Sequence, residues 1–156
     1  MPSAPTLPPP SSDLAHAIIG LWSLTSRRDY RADGEIIVDP IMGADPLGLL
    51  AFGPTQFSAQ FMRRDRSTIG AAVSGPIGAN NSGSVGGYDA YFGTYSLDQA
   101  AGSISIRLEG ALTPANIGLS LTRDVRVNGS GLTIRLSTTA TDGTPVERVL
   151  NFSRAT

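Results

Sequence analysis

Residues 13–30 read Asp13-Leu14-Ala15-His16-Ala17-Ile18-Ile19-Gly20-Leu21-Trp22-Ser23-Leu24-Thr25-Ser26-Arg27-Arg28-Asp29-Tyr30, and this stretch decides the fold. Asp13 can cap a short helix over residues 14–19, and Gly20 ends it. From Trp22 onward the chain alternates. Trp22, Leu24, Ser26, Arg28 and Tyr30 then share one face of a strand.

Downstream, the same period recurs between turn signals. Asp33-Gly34 marks a hairpin, followed by a short strand over residues 35–38 that Pro40 stops. A loop follows at 41–46, then a strand at 47–52. Gly53-Pro54 turns the chain into 56–63, where Phe57, Ala59 and Phe61 fall opposite Gln56, Ser58 and Gln60. Residues 65–87 lose all periodicity, with six glycines among Ala, Ser and Asn. Irregular stretches of that length are functional or mobile in most domains. Strands resume at 88–97, 103–112 and 117–127, then at 132–138 and 146–152. Asn128-Gly129 predicts a type I′ turn, and Asp142-Gly143 marks the last hairpin. Short strands joined by short turns predict an all-β barrel or sandwich of about eight to ten strands, with one short N-terminal helix.

Composition removes many chemistries. The chain has 156 residues, 40% hydrophobic and 16% charged, which suits one globular domain. A net charge of -1 offers no long-range attraction to nucleic acid or an anionic membrane. No apolar run approaches the roughly 20 residues that span a bilayer. There is no cysteine, hence no disulfide or thiolate. All 12 basic residues are Arg, so lysine Schiff bases and a phosphate-loop lysine are absent. His16 is the lone histidine, which excludes a multi-histidine metal site, and as a residue of the cap helix it reads as a surface group. Neither metal nor cofactor is expected. Residues 1–12, rich in Pro and Ser, read as a flexible tail preceding a domain at 13–156. That tail lacks the basic and apolar regions of a signal peptide, so a cytoplasmic location is the expectation. The sequons at Asn80, Asn128 and Asn151 then carry no sugar.

Several landmarks together resemble a small lipocalin-like domain family of bacteria and fungi. Gly20-Leu21-Trp22 after a short helix is similar to the lipocalin signature. Pro46-Leu47-Gly48-Leu49-Leu50, Gln60-Phe61-Met62-Arg63-Arg64-Asp65-Arg66, Tyr91-Phe92-Gly93-Thr94-Tyr95 and Leu108-Glu109-Gly110 follow in order, with Pro114 beyond. The resemblance covers residues 14–154. It implies a single antiparallel barrel with an interior ligand cavity. Related small barrels in natural-product pathways act as cofactor-free isomerases and cyclases. Members often carry His beside the Glu-Gly motif, where this chain has Ile106 and Arg107, so a mechanism needing that His lacks its residue here.

Candidate residues follow from facing. Trp22 plugs the closed end of the barrel, with Arg154 of the terminal strand stacked on its ring. Trp22, Leu24, Phe57, Phe61 and Ile106 are expected to line the ligand site. Arg28 lies roughly 20 Å along the strand from Trp22, and either clamps a substrate oxygen or reaches solvent from a strand end. Tyr91 and Tyr95 point the same way across Gly93, and either donate to a developing oxyanion or pack as aromatics. Glu109 becomes a general acid or base if a bulge at Gly110 turns it inward. If outward, it pairs with Arg107 or Arg123. The cluster at Arg63-Arg64-Asp65-Arg66 reads as solvated or as stitching a loop down.

Two functions fit. In the first, a hydrophobic, natural-product-like substrate is isomerised or cyclised without cofactor, with Arg28, Tyr91 and Tyr95 polarising an oxygen and Glu109 moving a proton. In the second, the cup only binds or carries the apolar molecule. Convergence of those four residues on one cavity separates the readings. A homodimer through outer faces or the irregular loop is compatible with either.

Overall fold

The computed structural model describes residues 4–10 and 13–155. Helix α1 (Leu14–Ala17) is a single turn, with the Asp13 carboxylate accepting from the His16 amide. Eleven strands follow: β1 (Gly20–Tyr30), β2 (Ile36–Ile37), β3 (Leu47–Phe52), β4 (Gln56–Met62), β5 (Ile77–Gly78), β6 (Asn81–Ser82), β7 (Tyr88–Asp98), β8 (Ser103–Ala111), β9 (Ser120–Asn128), β10 (Gly131–Thr139) and β11 (Pro145–Arg154). Eight of them form one antiparallel meander in the order β11-β10-β9-β8-β7-β4-β3-β1, and pairing of β11 with β1 closes it into a barrel. Closure leaves no free edge in this meander. Among the described residues, no helix is long and apolar enough to cross a membrane.

The expected alternation holds on most strands. Phe57, Ala59 and Phe61 are buried while Gln56, Ser58 and Gln60 are exposed. Ile104, Ile106 and Leu108 of β8 meet Val125 and Val127 of β9 and Leu132 and Leu136 of β10 in the interior. The β9–β10 turn differs from expectation. Its central residues are Gly129 and Ser130, with positive φ at Gly129 alone, which is the II′ pattern rather than I′.

The end that holds α1 is closed. Trp22 is wholly buried there and donates from Nε1 to the Ile18 carbonyl at 2.8 Å. The Arg154 guanidinium lies 4.1 Å from the centre of the Trp22 ring. Its two terminal nitrogens donate to the carbonyls of Ala17 and Ile19, both at 2.8 Å, which caps the helix C-terminus. Gly20 makes this packing possible: its φ is +133, and a Cβ there would meet Arg154 at 2.7 Å.

Of the expected tail, residues 1–3 and 11–12 lie outside the described residues. Within residues 4–10, the Pro5 and Pro8 carbonyls accept from Arg135 and Arg126 at 2.7 and 2.5 Å.

The other end is covered by chain. Residues 65–87, without periodicity in sequence, contain a 3-10 turn at Arg66–Thr68 and the β5–β6 hairpin. The hairpin tip, Ala79-Asn80, is pinned to the end of β10. Thr138 Oγ1 donates to the Ala79 carbonyl at 2.6 Å, and Asn80 and Asn81 amides donate to the Ser137 and Thr139 carbonyls.

Candidate functional site

Beneath that hairpin lies a cavity inside the barrel. Its lower walls are apolar, built by Phe52, Phe57, Phe61, Ile104, Ile106 and Phe152. Its upper walls carry Arg27, Asp39, Asp89, Tyr91, Arg123 and Arg148, under a roof that includes Asn80 and Ser82. The cavity has a volume of about 90 Å³, room for a few ordered waters or a compact ligand.

Four expected site residues line this cavity: Tyr91, Phe57, Phe61 and Ile106. The other five do not, and for one of them, Arg28, a bulge in β1 is the reason. In β1, Leu24 pairs with Phe152 and Ser26 with Asn151, so Thr25 is an extra residue. Facing inverts beyond it. Arg28 is therefore on the outer surface, exposed and opposite Val149, while Arg27 and Asp29 face inward. In β8, Gly93 of β7 pairs with Leu108 and Phe92 with Gly110, so Glu109 is the bulged residue. The bulge that sequence suggested is present, yet Glu109 remains exposed, and among the described residues it forms no ion pair with Arg107 or Arg123.

Tyr95 shares the inward face of Tyr91 but sits four residues further along β7, against Phe52, with its hydroxyl donating to the Gly53 carbonyl at 2.5 Å. No open space lies over Gly93 between the two tyrosines. The bulged β8 backbone occupies that place, and a Cβ on Gly93 would lie 1.8 Å from the Arg107 carbonyl oxygen. Trp22 and Leu24 lie outside the lining, Trp22 in the floor below it.

The polar groups that do converge are mostly ones that the sequence reading passed over. Asp29 and Arg148 are directly opposed on β1 and β11 and form a two-pronged ion pair at 2.8 and 3.0 Å. Arg27 pairs with Asp39 at 3.0 Å, and Arg148 also reaches Asp39 at 4.0 Å. Burial pushes the Asp39 carboxyl up, but Arg27, the Ile41 amide and Arg148 together hold it below its ordinary value. Burial and the neighbouring Arg148 lower the Arg27 pKa, with Asp39 and Asp29 opposing. These two arginines and two aspartates balance in charge.

Two further groups are not balanced. Arg123, on the inner face of β9 and 7% exposed, has no carboxylate within 4 Å among the described residues. Its only hydrogen bonds there, to the carbonyls of Thr122 and Asn80, are both long at 3.5 Å. Burial lowers its pKa, and Tyr91 opposes this. Asp89, two residues from Tyr91 on the same face of β7, bonds Ser82 through one oxygen, and its Oδ1 has no partner among the described residues. Burial raises its pKa to about 6. Burial and the charge of Asp89 push Tyr91 up to about 12, so its phenol is a neutral donor.

Part of this was readable. Arg123 is in phase with Val125 and Val127, Arg148 with Leu150 and Phe152, and Asp89 with Tyr91. A charge in step with an apolar face points inward. Arg27 carries no such signal, because the Thr25 bulge hides it. Among the described residues, no group of three or more His, Cys, Asp or Glu is arranged to hold a metal ion.

A family model described as a lipocalin-like domain matches residues 19–155, and the chain belongs to that family. No curated protein matches it. The family and the barrel fit the binding of a hydrophobic small molecule.

Proposed function

We propose that this lipocalin-like barrel binds a small, mostly apolar molecule that carries one oxygen-bearing end. The body rests among Phe57, Phe61, Ile104 and Ile106, and the oxygen meets Tyr91 and Arg123 at the upper wall. The observation that carries this reading is the two-part lining: apolar below, and above it a phenol and a guanidinium whose hydrogen-bonding capacity is largely unused. Small-molecule pockets have this composition, with an apolar wall for affinity and a few polar groups for orientation.

Between a cofactor-independent isomerase or cyclase and a non-catalytic carrier, the geometry favours binding. Of Arg28, Tyr91, Tyr95 and Glu109, Tyr91 alone reaches the cavity. One observation sustains a catalytic reading. Asp89, with a pKa of about 6 and a free oxygen, is close in strength to a proton acceptor working near neutrality. In that case Asp89 would move a proton within a substrate whose oxygen Arg123 and Tyr91 hold, and Glu109 would take no part.

Ligand-observed NMR with 1-indanone and 2-naphthol tests the binding reading. Saturation transfer is expected to both, and is lost when Ile106→Trp fills the cavity of a still-folded protein. Transfer that persists in the filled variant overturns the proposal. Exchange of the indanone α-protons in deuterated buffer, abolished by Asp89→Asn but not by Glu109→Gln, would establish proton transfer.

A further inference from the structure

Arg123 is the part of the cavity with no structural explanation. It is buried, its hydrogen bonds are long, and it has no carboxylate partner among the described residues, although Arg27 and Arg148 on the same walls each have one. A guanidinium removed from water and left unpaired is destabilising to the fold. Proteins retain such a charge where something else neutralises it. From the cavity wall the missing partner must arrive as ligand. We infer that the natural ligand is a small apolar carboxylic acid, bound as its carboxylate to Arg123, with the Tyr91 hydroxyl as a second donor.

Two features of the site support a carboxylate over a neutral oxygen. The guanidinium is a planar fork, matched to two carboxylate oxygens in one plane. The Asn80 carbonyl that now accepts from Arg123 at 3.5 Å belongs to the roof hairpin, and such a long bond is readily exchanged for a charged acceptor. Size restricts the acid further. A cavity of about 90 Å³ favours a compact acid over a long-chain fatty acid.

This inference rests on the binding reading above, and matched pairs separate the two. Calorimetric titration of the full chain at pH 8 and low salt compares octanoate with octanamide, and cinnamate with cinnamamide. In each pair the acid is expected to bind at least tenfold more tightly than its amide. Arg123→Gln should reduce that preference below twofold, through loss of acid affinity rather than amide affinity, and Arg123→Lys should restore part of it. Arg28→Gln, on the outer surface, serves as a control that keeps the preference intact. Thermal unfolding of each variant confirms a folded barrel. Equal binding of acid and amide to the wild-type chain, or a preference that survives Arg123→Gln, overturns the assignment of the acid while leaving the binding reading in place. Failure of every member of both pairs to bind overturns both.

Discussion

At the closed end of the barrel, every notable polar group has a partner. Trp22 Nε1 donates to Ile18, Arg154 divides itself between the Trp22 ring and two helix carbonyls, and the Tyr95 hydroxyl donates to Gly53. At the open end, the fold leaves accounts unsettled. The buried side-chain atoms without a hydrogen-bond partner among the described residues are Arg31 Nε, Asp89 Oδ1 and Asn116 Oδ1, all at that end, and Arg123 has its charge unpaired. Buried polar groups are ordinarily satisfied because an unmade bond is expensive. One end of the same barrel obeys that rule and the other departs from it. The first is therefore structural, and the second is where the proposed ligand would complete the chemistry.

The largest effect should fall at the satisfied end. Trp22→Ala removes a fully buried indole together with its hydrogen bond and its contact with Arg154. A loss of about 3–5 kcal/mol is expected, measured by urea unfolding. Any of the variant that remains folded should still prefer an acid to its amide. Loss of that preference with fold intact would mean that the two ends are not independent.

Next comes a contrast within the open end. Arg148→Leu strands Asp29 without its guanidinium, so about 3 kcal/mol of stability should be lost. Arg123→Leu removes a charge that no carboxylate matches. Stability of the unliganded protein should then stay level or rise by about 1–2 kcal/mol. If unfolding shows the two variants equally damaged, Arg123 has a structural partner and the comparison between matched and unmatched arginines fails.

Asp89 gives a prediction with a pH dependence. Its folded-state pKa of about 6 lies above the ordinary 3.8, so folding favours its protonated form. Ionisation in the folded protein therefore destabilises it above pH 6, by up to about 3 kcal/mol, and that penalty roughly halves by pH 5 and nearly vanishes at pH 4. Asp89→Asn keeps a partner for Ser82 and carries no charge. It should be about 2 kcal/mol more stable than the wild type at pH 8, with the advantage shrinking on acidification. An advantage that is constant with pH would place the cause in packing, not ionisation.

How much of this was legible depends on whether apolar residues mark the face. Between residues 56 and 61, and again from 103 to 108, alternating apolar side chains fix the register, and barrel, strands and Trp22 floor all follow. In β1, Ser26, Arg27, Arg28 and Asp29 are all polar, so an extra residue at Thr25 leaves no trace and the choice of Arg28 over Arg27 inverts. A bulge at Gly110 is what would turn Glu109 inward, yet Ile106 and Leu108 already assign it outward, and the bulge does not alter that. The roof was opaque for another reason. Residues 65–87 are held by backbone carbonyls and long-range side-chain bonds to β10, which no local period encodes.

The smallest effect concerns that roof. Ala79 and Asn80 both have positive φ, at 47° and 69°, as the two central residues of a two-residue hairpin require. Asn tolerates this conformation; Ala carries a penalty of about 1 kcal/mol. Ala79→Gly removes that strain but gives the unfolded chain more freedom, so the net gain should be only about 0.5 kcal/mol. The Thr138 bond goes to the Ala79 carbonyl and survives the change. Asn80→Ala should have the opposite sign, since it strains a second residue and removes the amide donated to Ser137. Hydrogen exchange at the Gly83 amide, which donates to Pro76 beside the hairpin, reads both changes locally. Slower exchange in Ala79→Gly with faster exchange in Asn80→Ala means that the roof is held shut against its own backbone strain. Faster exchange in both would show that Ala79 stiffens the hairpin, and would move the tension at the open end wholly onto Arg123 and Asp89.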